Sequence, residues 1–410
     1  MTGCQDGVYA RRMRLLVVTP WIPYPITGAD QQDRFYGFKQ FQRLGYDVRV
    51  IAKIHAFQPE AEIRALYEKE GIDVILVPYA PSLVRLLLWN MFRVLREPAL
   101  LDGAALEYLD TATKRAVTEC VREWKPDAAW VEFSFLWPMN ILLRRLGVPV
   151  VMRSANNEAQ QAIDEHRGSL PHRILAVPKF RGERLAARTC GVMLAITPWE
   201  KSWYERCGAA DVDVLPLRGL HRTIRRRIHI EKPVLDLVFL GSSYTNGHNR
   251  DALEFILTEV LPLLRERMPG TYKLHVTGKK FPESFNGYLG PDVEVHGFIP
   301  ALDAFLDSMD IALCPSVSGQ GMQQKVYEPL CCGLPLVTHH TAGYPFEDGV
   351  HALYASAPEG FADAVERLRD VATRQRLADA ALRVAETCFS TEAIDRVTSG
   401  ALERAMSRAV

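Results

Sequence analysis

The sequence predicts an α/β chain of two parallel-sheet halves in series, each flanked by helices and facing the other across a cleft. Three observations predict it. Short apolar runs alternate with helical patterns along nearly the whole chain. The alternation breaks once, at a polar, basic stretch that begins at Arg218, and restarts at Leu235. The 410 residues are enough for two domains of ~150 residues or more.

The first half opens with RLLVVTP, Arg14 to Pro20, a β-rich run that ends at a proline. An amphipathic segment, Gln31 to Leu44, stops at Gly45, and DVRVIAKI (Asp47–Ile54) is the next strand. IDVILVPY (Ile72–Tyr79), DAAWVEF (Asp127–Phe133), PVVMRS (Pro149–Ser154), GVMLAIT (Gly191–Thr197) and DVLPL (Asp213–Leu217) complete the strands of this half. Residues 218–234 are poor in core residues and read as a linker. The second half then repeats the pattern with LDLVFLG (Leu235–Gly241), YKLHVTG (Tyr272–Gly278), VEVHGFI (Val293–Ile299), DIALCP (Asp310–Pro315) and LPLVTH (Leu334–His339). Each half is Rossmann-like. We expect a disordered tail over 1–12, a first domain over 13–217 completed by a C-terminal helix at 390–410, and a second domain over 235–389. In such sheets ligands sit off the carboxyl ends of the strands.

Composition removes several function classes. Hydrophobic residues make up 48% and charged residues 24%, so a large core is expected. Lys plus Arg and Asp plus Glu are 49 each, without the basic excess of a sequence-independent nucleic-acid binder. The eight cysteines form no CxxC and no zinc-type spacing, and Cys331–Cys332 sit in an apolar run as core filler. That usage implies a reduced, cytoplasmic protein. No apolar run reaches the ~18 residues of a membrane span, and the N-terminus has no signal-peptide pattern. In SLVRLLLWNMFRVLREP, Ser82–Pro98, Arg85, Arg93 and Arg96 fall within about 80° on a helical wheel, around Trp89. Two readings fit: a core helix with a basic edge, or an interfacial helix that leans on the inner face of an anionic membrane. The Arg225–Arg227 run reads as a solvated charge run or as an addition to that surface.

The stretch GQGMQQKVYEPLCCGLPLV, Gly319 to Val337, carries the chemistry. It lies between two strands and reads as glycine loop, helix, strand, with Gly333 just past the helix end and Pro329 forcing a kink or an irregular last turn. Free N–H groups and the dipole at the helix start favour a phosphate. Gly319 and Gly321 let the backbone approach, and Lys325 adds a full positive charge. Glu328, three residues on, shares the face of Lys325. An ionised carboxylate only accepts hydrogen bonds, which suits paired vicinal hydroxyls. A ribose joined to a diphosphate offers both partners, so a sugar nucleotide is the expected ligand. A plain surface Lys–Glu pair is the bland alternative.

The pattern G-x-G-x-x-x-K-x-x-E, followed by small residues, G-x-P and a strand, resembles the donor site of GT-B glycosyltransferases of the family-four (retaining, group 1) kind. Pro20–Gly28 is similar to their first glycine loop, Val238–Asn249 to the first strand and loop of their nucleotide domain, and Met152–Glu158 to their R-x-H-N-x-E segment. Leu194–Tyr204 resembles the strand and helix before their linker. The resemblance covers most of the chain. It implies that Lys325 holds the diphosphate, Glu328 the ribose hydroxyls, and Gly319, Gly321, Met322 and Gln323 the phosphates. Gly241 and Ser242 would face the diphosphate, His296 and Phe298 would border the base, and Gly28 would approach from the other half. Gln320 stands where the family often has a second glutamate, and Ala155 where it has a histidine. The resemblance further implies retention at the anomeric carbon, with Lys325, Glu328 and Gln320 as the catalytic set and a donor phosphate oxygen taking the acceptor proton. No DxD-type pair appears, so no metal and no cofactor are expected. The acceptor would be a glycan or a lipid-linked glycan in bacterial polysaccharide or glycoconjugate assembly. Glu132 and Glu158 are candidates to orient it, and His339–His340 are strand-end residues that could touch ligand. A sugar-nucleotide epimerase and a non-catalytic sugar-nucleotide-binding subunit are the alternatives. A dehydrogenase would need G-x-G-x-x-G after its first strand, and neither half has it.

Overall fold

A computed structural model describes residues 11–80, 94–108, 110–164, 169–315, 321–339 and 344–408. The first half is a seven-stranded parallel sheet. Its strands are β1 (Arg14–Trp21), β2 (Asp47–Ile54), β3 (Asp73–Pro78), β4 (Ala128–Glu132), β5 (Val150–Arg153), β6 (Val192–Ala195) and β7 (Val212–Val214), in the order β3-β2-β1-β4-β5-β6-β7. The second half is a six-stranded parallel sheet. It comprises β8 (Leu235–Ser243), β9 (Tyr272–Lys279), β10 (Val293–Gly297), β11 (Ile311–Cys314), β12 (Leu336–Thr338) and β13 (Leu353–Tyr354), ordered β10-β9-β8-β11-β12-β13. The central strands read as unbroken apolar runs because helices cover both sheet faces; Leu15, Leu16 and Val17 of β1 and Leu237, Val238 and Phe239 of β8 are all buried.

Strand order reverses between β1 and β4 in one sheet and between β8 and β11 in the other. Chains that leave adjacent strands there in opposite directions open a crevice at the carboxyl ends. The loop 22–28 leaves β1, and helix Gln324–Cys331 follows β11 in the chain, so the two sequence motifs lie at the two switch points.

Helix Val371–Phe389 packs in the second half, with Leu377, Ala381 and Phe389 in its core. Ser390 caps the next helix, Thr391–Ser407, by accepting from the N–H of Ala393, and the chain returns to the first half. There Ile394, Ala401, Leu402 and Ala405 share a core with Leu15, Val17 and Leu194. Arg404 fixes the helix by pairing with Asp211 at 2.9 Å and Asp213 at 3.3 Å.

The segment after β7 departs from the expectation of a stretch poor in core residues. Arg218, Leu220, Thr223 and His229 are buried in it. The arginine run is also tied down. Arg225 pairs with Asp307 at 2.7 Å, and Arg227 donates to the carbonyls of Met309 at 2.6 Å and Leu306 at 2.7 Å. Only Arg226, 75% exposed, fits a solvated charge. Most of the Ser82–Pro98 helix, read either as a core helix with a basic edge or as an interfacial helix, lies outside the described residues, as does the tail over 1–10. No described helix is long and apolar enough to cross a membrane.

Candidate active site

The motif helix runs from Gln324 to Cys331, with Gln323 at its N-cap. Lys325 therefore sits in the first turn itself. Pro329 stays inside the helix, and Gly333 ends it in the left-handed conformation at φ +69°. Gly321, at φ +72°, turns the incoming loop, and a Cβ there would lie 2.9 Å from the carbonyl oxygen of Ala155. Gly321 thus presses its backbone against the backbone of the first half. Met322 is buried beneath it. Gly319 and Gln320 lie outside the described residues, as does His340.

Lys325 reaches across the switch point. Its Nζ donates to Asn249 Oδ1 at 3.1 Å and lies 5.8 Å from the centroid of the Phe239 ring. Asn249 is buried and donates in turn to Ser242 Oγ at 3.0 Å and to the Ser243 carbonyl at 3.1 Å. Gly241 precedes this loop where a Cβ would come within 2.7 Å of the Thr277 carbonyl oxygen. So Lys325, Ser242 and the first turns of helices Gln324–Cys331 and Gly247–Phe255 converge on one place. Burial lowers the pKa of Lys325, with the Cys314 thiol opposing the shift. Among the described residues no carboxylate pairs with this ammonium. Positive charge from a side chain and two helix dipoles is left for an outside anion.

Glu328 points elsewhere than expected from a shared face with Lys325. It lines a cavity of about 420 Å³ between the halves, with Gln32, Asp33 and Tyr36 of the first half and Arg222, Ala301 and Asp303 from beyond it. Ile26 and Ala29, on either side of Gly28, line the same wall. Gly28 is the N-cap of helix Ala29–Arg43 in extended conformation. Gln324 bridges the halves by donating to Gln32 Oε1 at 3.2 Å and to Glu328 Oε2 at 3.3 Å. Burial pushes the Glu328 carboxyl up to about 7, reinforced by Asp303 and opposed by the bond from Gln324 and by Arg225 and Arg222. His296 and Phe298 do not line this cavity. His296 turns its ring onto His275, and Phe298 lies under Lys279, whose Nζ is 4.4 Å from the ring centroid. Residues 300–304, just beyond, form the wall instead.

Glu132 is not an exposed carboxylate. Its Oε1 accepts from Arg218 at 2.7 Å and from Trp130 Nε1 at 2.9 Å, in a buried cluster where Asp33 joins Arg153 at 2.5 Å and Arg218 at 3.2 Å. The two guanidinium groups outweigh burial and hold Asp33 below the usual carboxylate range. Glu158 begins the helix Glu158–Asp164, and His339 follows β12. Sequence reasoning missed Asn249, Gln32, Arg222 and Tyr36. Asn249 ends the stretch singled out at β8, but only the fold brings it to Lys325.

Two family models match the chain: "Glycosyl transferase 4-like domain" over 38–218 and "Glycosyl transferases group 1" over 235–370. Between them they cover most of its length. The chain is a GT-B glycosyltransferase.

The solved structures it resembles share the two-sheet fold. The structure of Anabaena Alr3699/HepE in complex with UDP and glucose superposes with a TM-score of 0.65 at 14% identity, over 96% of this chain and 100% of that one. A TarM variant from S. aureus, in complex with Fondaparinux, alpha-GlcNAc-glycerol and UDP, gives 0.66 at 9% identity over 95% and 99%. The apo form of the lipopolysaccharide outer core galactosyltransferase WaaB gives 0.61 at 15% identity over 95% and 99%. No curated protein matches this glycosyltransferase by sequence.

Proposed function

We propose that the glycosyltransferase moves a sugar from a uridine diphosphate sugar to a glycan or lipid-linked acceptor, with retention at the anomeric carbon. The observation that carries the donor reading is Lys325, a half-buried ammonium held by the amide of Asn249 with no carboxylate beside it among the described residues. UDP is the nucleotide named with the HepE and TarM structures of the same fold. Lys325, the Ser242 hydroxyl and two helix N-termini would receive the diphosphate as it leaves, a fixed arrangement of charge that needs no reorganisation during reaction. Glu328 would take the ribose hydroxyls inside the cavity, and Gln320 the donor sugar. A donor phosphate oxygen would accept the proton of the attacking hydroxyl, so no side chain need act as a strong base. Assembly of a bacterial polysaccharide or glycoconjugate, at the cytoplasmic face of a membrane, is the setting that fits such an acceptor.

The test is binding of UDP, GDP, ADP and their sugar conjugates by thermal shift, on the wild type and on Lys325→Ala. Ligand that binds the folded state raises Tm by mass action. UDP should stabilise the wild type and not the variant, and turnover of the variant should fall by about 100–1000-fold. Equal stabilisation of both proteins would remove Lys325 from the donor site.

A further inference from the structure

A cluster on the edge of the second sheet has no part in sugar transfer as described. β9 and the edge strand β10 set His275 opposite Glu294 in register, and His296 follows two residues later on the same face. His275 Nδ1 and His296 Nε2 face each other at 2.9 Å, with the rings 5.1 Å apart and nearly parallel at 24°. Glu294 offers a carboxylate oxygen, and the three ligand atoms all lie within 4.8 Å of one another. We propose that His275, His296 and Glu294 bind a divalent transition-metal ion.

The hydrogen bonds set the tautomer. His275 Nε2 lies 3.1 Å from Asp236 Oδ1, and a carboxylate can only accept, so Nε2 carries the hydrogen. Nδ1 is then a lone pair aimed at His296. A carboxylate behind a ligating imidazole is the usual outer support of such a ligand. On binding, His296 takes the Nδ1–H form, within 3.7 Å of Glu294 Oε1, and both neutral imidazoles present lone pairs to the ion. Nitrogens 2.9 Å apart fit adjacent positions at ~90° around an ion with bonds of about 2.0–2.1 Å. That angle belongs to square-planar or octahedral coordination, which favours Ni²⁺ or Cu²⁺ over tetrahedral Zn²⁺, and imidazole excludes Mg²⁺. Phe305 packs edge-on against both rings and holds them in place. Lys273 pairs with Glu294 and must swing away, which its partly exposed position allows. The ion would tie β10 to β9 just before residues 300–304, which form a wall of the cavity.

Equilibrium dialysis of the full chain against Ni²⁺ tests this, with bound metal as the readout, so the result does not depend on the donor reading. The wild type should hold one more equivalent than His296→Ala or His275→Ala, and Glu294→Ala should weaken that equivalent by at least about tenfold. Ni²⁺ should raise the wild-type Tm and leave the histidine variants unchanged, while Mg²⁺ should do neither. Because His275 is buried and its variant could fail to fold, the partly exposed His296→Ala decides the matter. Equal Ni²⁺ in the wild type and His296→Ala overturns the site, and so does displacement of Ni²⁺ by equimolar Mg²⁺.

Discussion

An amide, not a carboxylate, anchors Lys325, and that difference keeps the lysine charge available to a ligand. Asn249 spends its Oδ1 on the ammonium and its Nδ2 on Ser242 and Ser243, so one buried side chain positions both the cation and the β8 loop. Asn249→Asp separates positioning from charge. The carboxylate still accepts from Lys325 but cannot donate to the Ser243 carbonyl, so some stability should be lost. It also neutralises the ammonium, and UDP should bind at least about tenfold more weakly, a loss of ~1.4 kcal/mol that calorimetry resolves. Asn249→Ala should lose stability too, by about 1–3 kcal/mol, because buried polar partners are left unpaired, but it adds no negative charge beside Lys325 and should cost less UDP affinity. Unchanged UDP affinity in Asn249→Asp would show that this lysine does not meet the diphosphate. Lys325 and Glu328 were legible because spacing along one helix, behind a glycine pair, is a local pattern. Their separation was not: the lysine bends toward β8 and the glutamate toward the first half, and the neighbours that draw them apart come from distant parts of the chain. The same limit hid the fate of His296, whose ring follows His275 across the strand pair.

The central strands of these sheets announce themselves because they are buried on both faces and bounded by prolines and glycines. β13 did not, since Leu353–Tyr354 is only two residues long and pairs through β12. The linker misled for a different reason. A basic, polar composition reads as solvated, yet Arg218 is completely enclosed because Asp33 and Glu132 neutralise it there. Asp33 is separated from Arg218 by 185 positions, and no window of sequence shows that pairing. Gly37 belongs to the same arrangement. It stands in the middle of helix Ala29–Arg43, and a Cβ there would lie 2.2 Å from Arg218 Cζ. The guanidinium occupies the volume a side chain would need. Arg218→Ala should therefore cost about 3–5 kcal/mol in urea unfolding, since two buried carboxylates lose a partner. Gly37→Ala should destabilise through the same cluster, and the double variant should fall short of the sum of the two losses. Additive losses would mean that the glycine and the arginine act separately.

Across the whole molecule, helix Thr391–Ser407 closes the first half with residues from the far end of the chain, and Gln324–Gln32 and Gly321–Ala155 bring the second half against it. Folding also buries carboxyls, Glu183 and Glu200 within the first half and Glu328 at the contact. Burial raises Glu183 to about 8, against the bond from Trp203, and Glu200 to about 7, against the bonds from Thr197. Glu328 stands at about 7 for the same reason. Each keeps its proton in the folded chain over a range where the unfolded chain, near 4.5, has released it. The folded state then binds more protons, so stability falls as pH rises through that range and the loss is complete only above about 8. Buried His221 and His229 work in the opposite direction, because burial lowers them and protonation of the unfolded chain penalises folding only below about 6.5. From about pH 6.5 to 8.5 the carboxyls act alone among these groups, and at ~1.4 kcal/mol per unit they should remove on the order of 2–3 kcal/mol. Melting measured at constant ionic strength should show Tm dropping steadily across that window. Glu183→Gln, which retains an acceptor for Trp203 without a titrating proton, should flatten the drop. A Tm that is level or rising in the wild type would mean that these carboxyls are ionised in the folded chain, and that water or a cation reaches each of them.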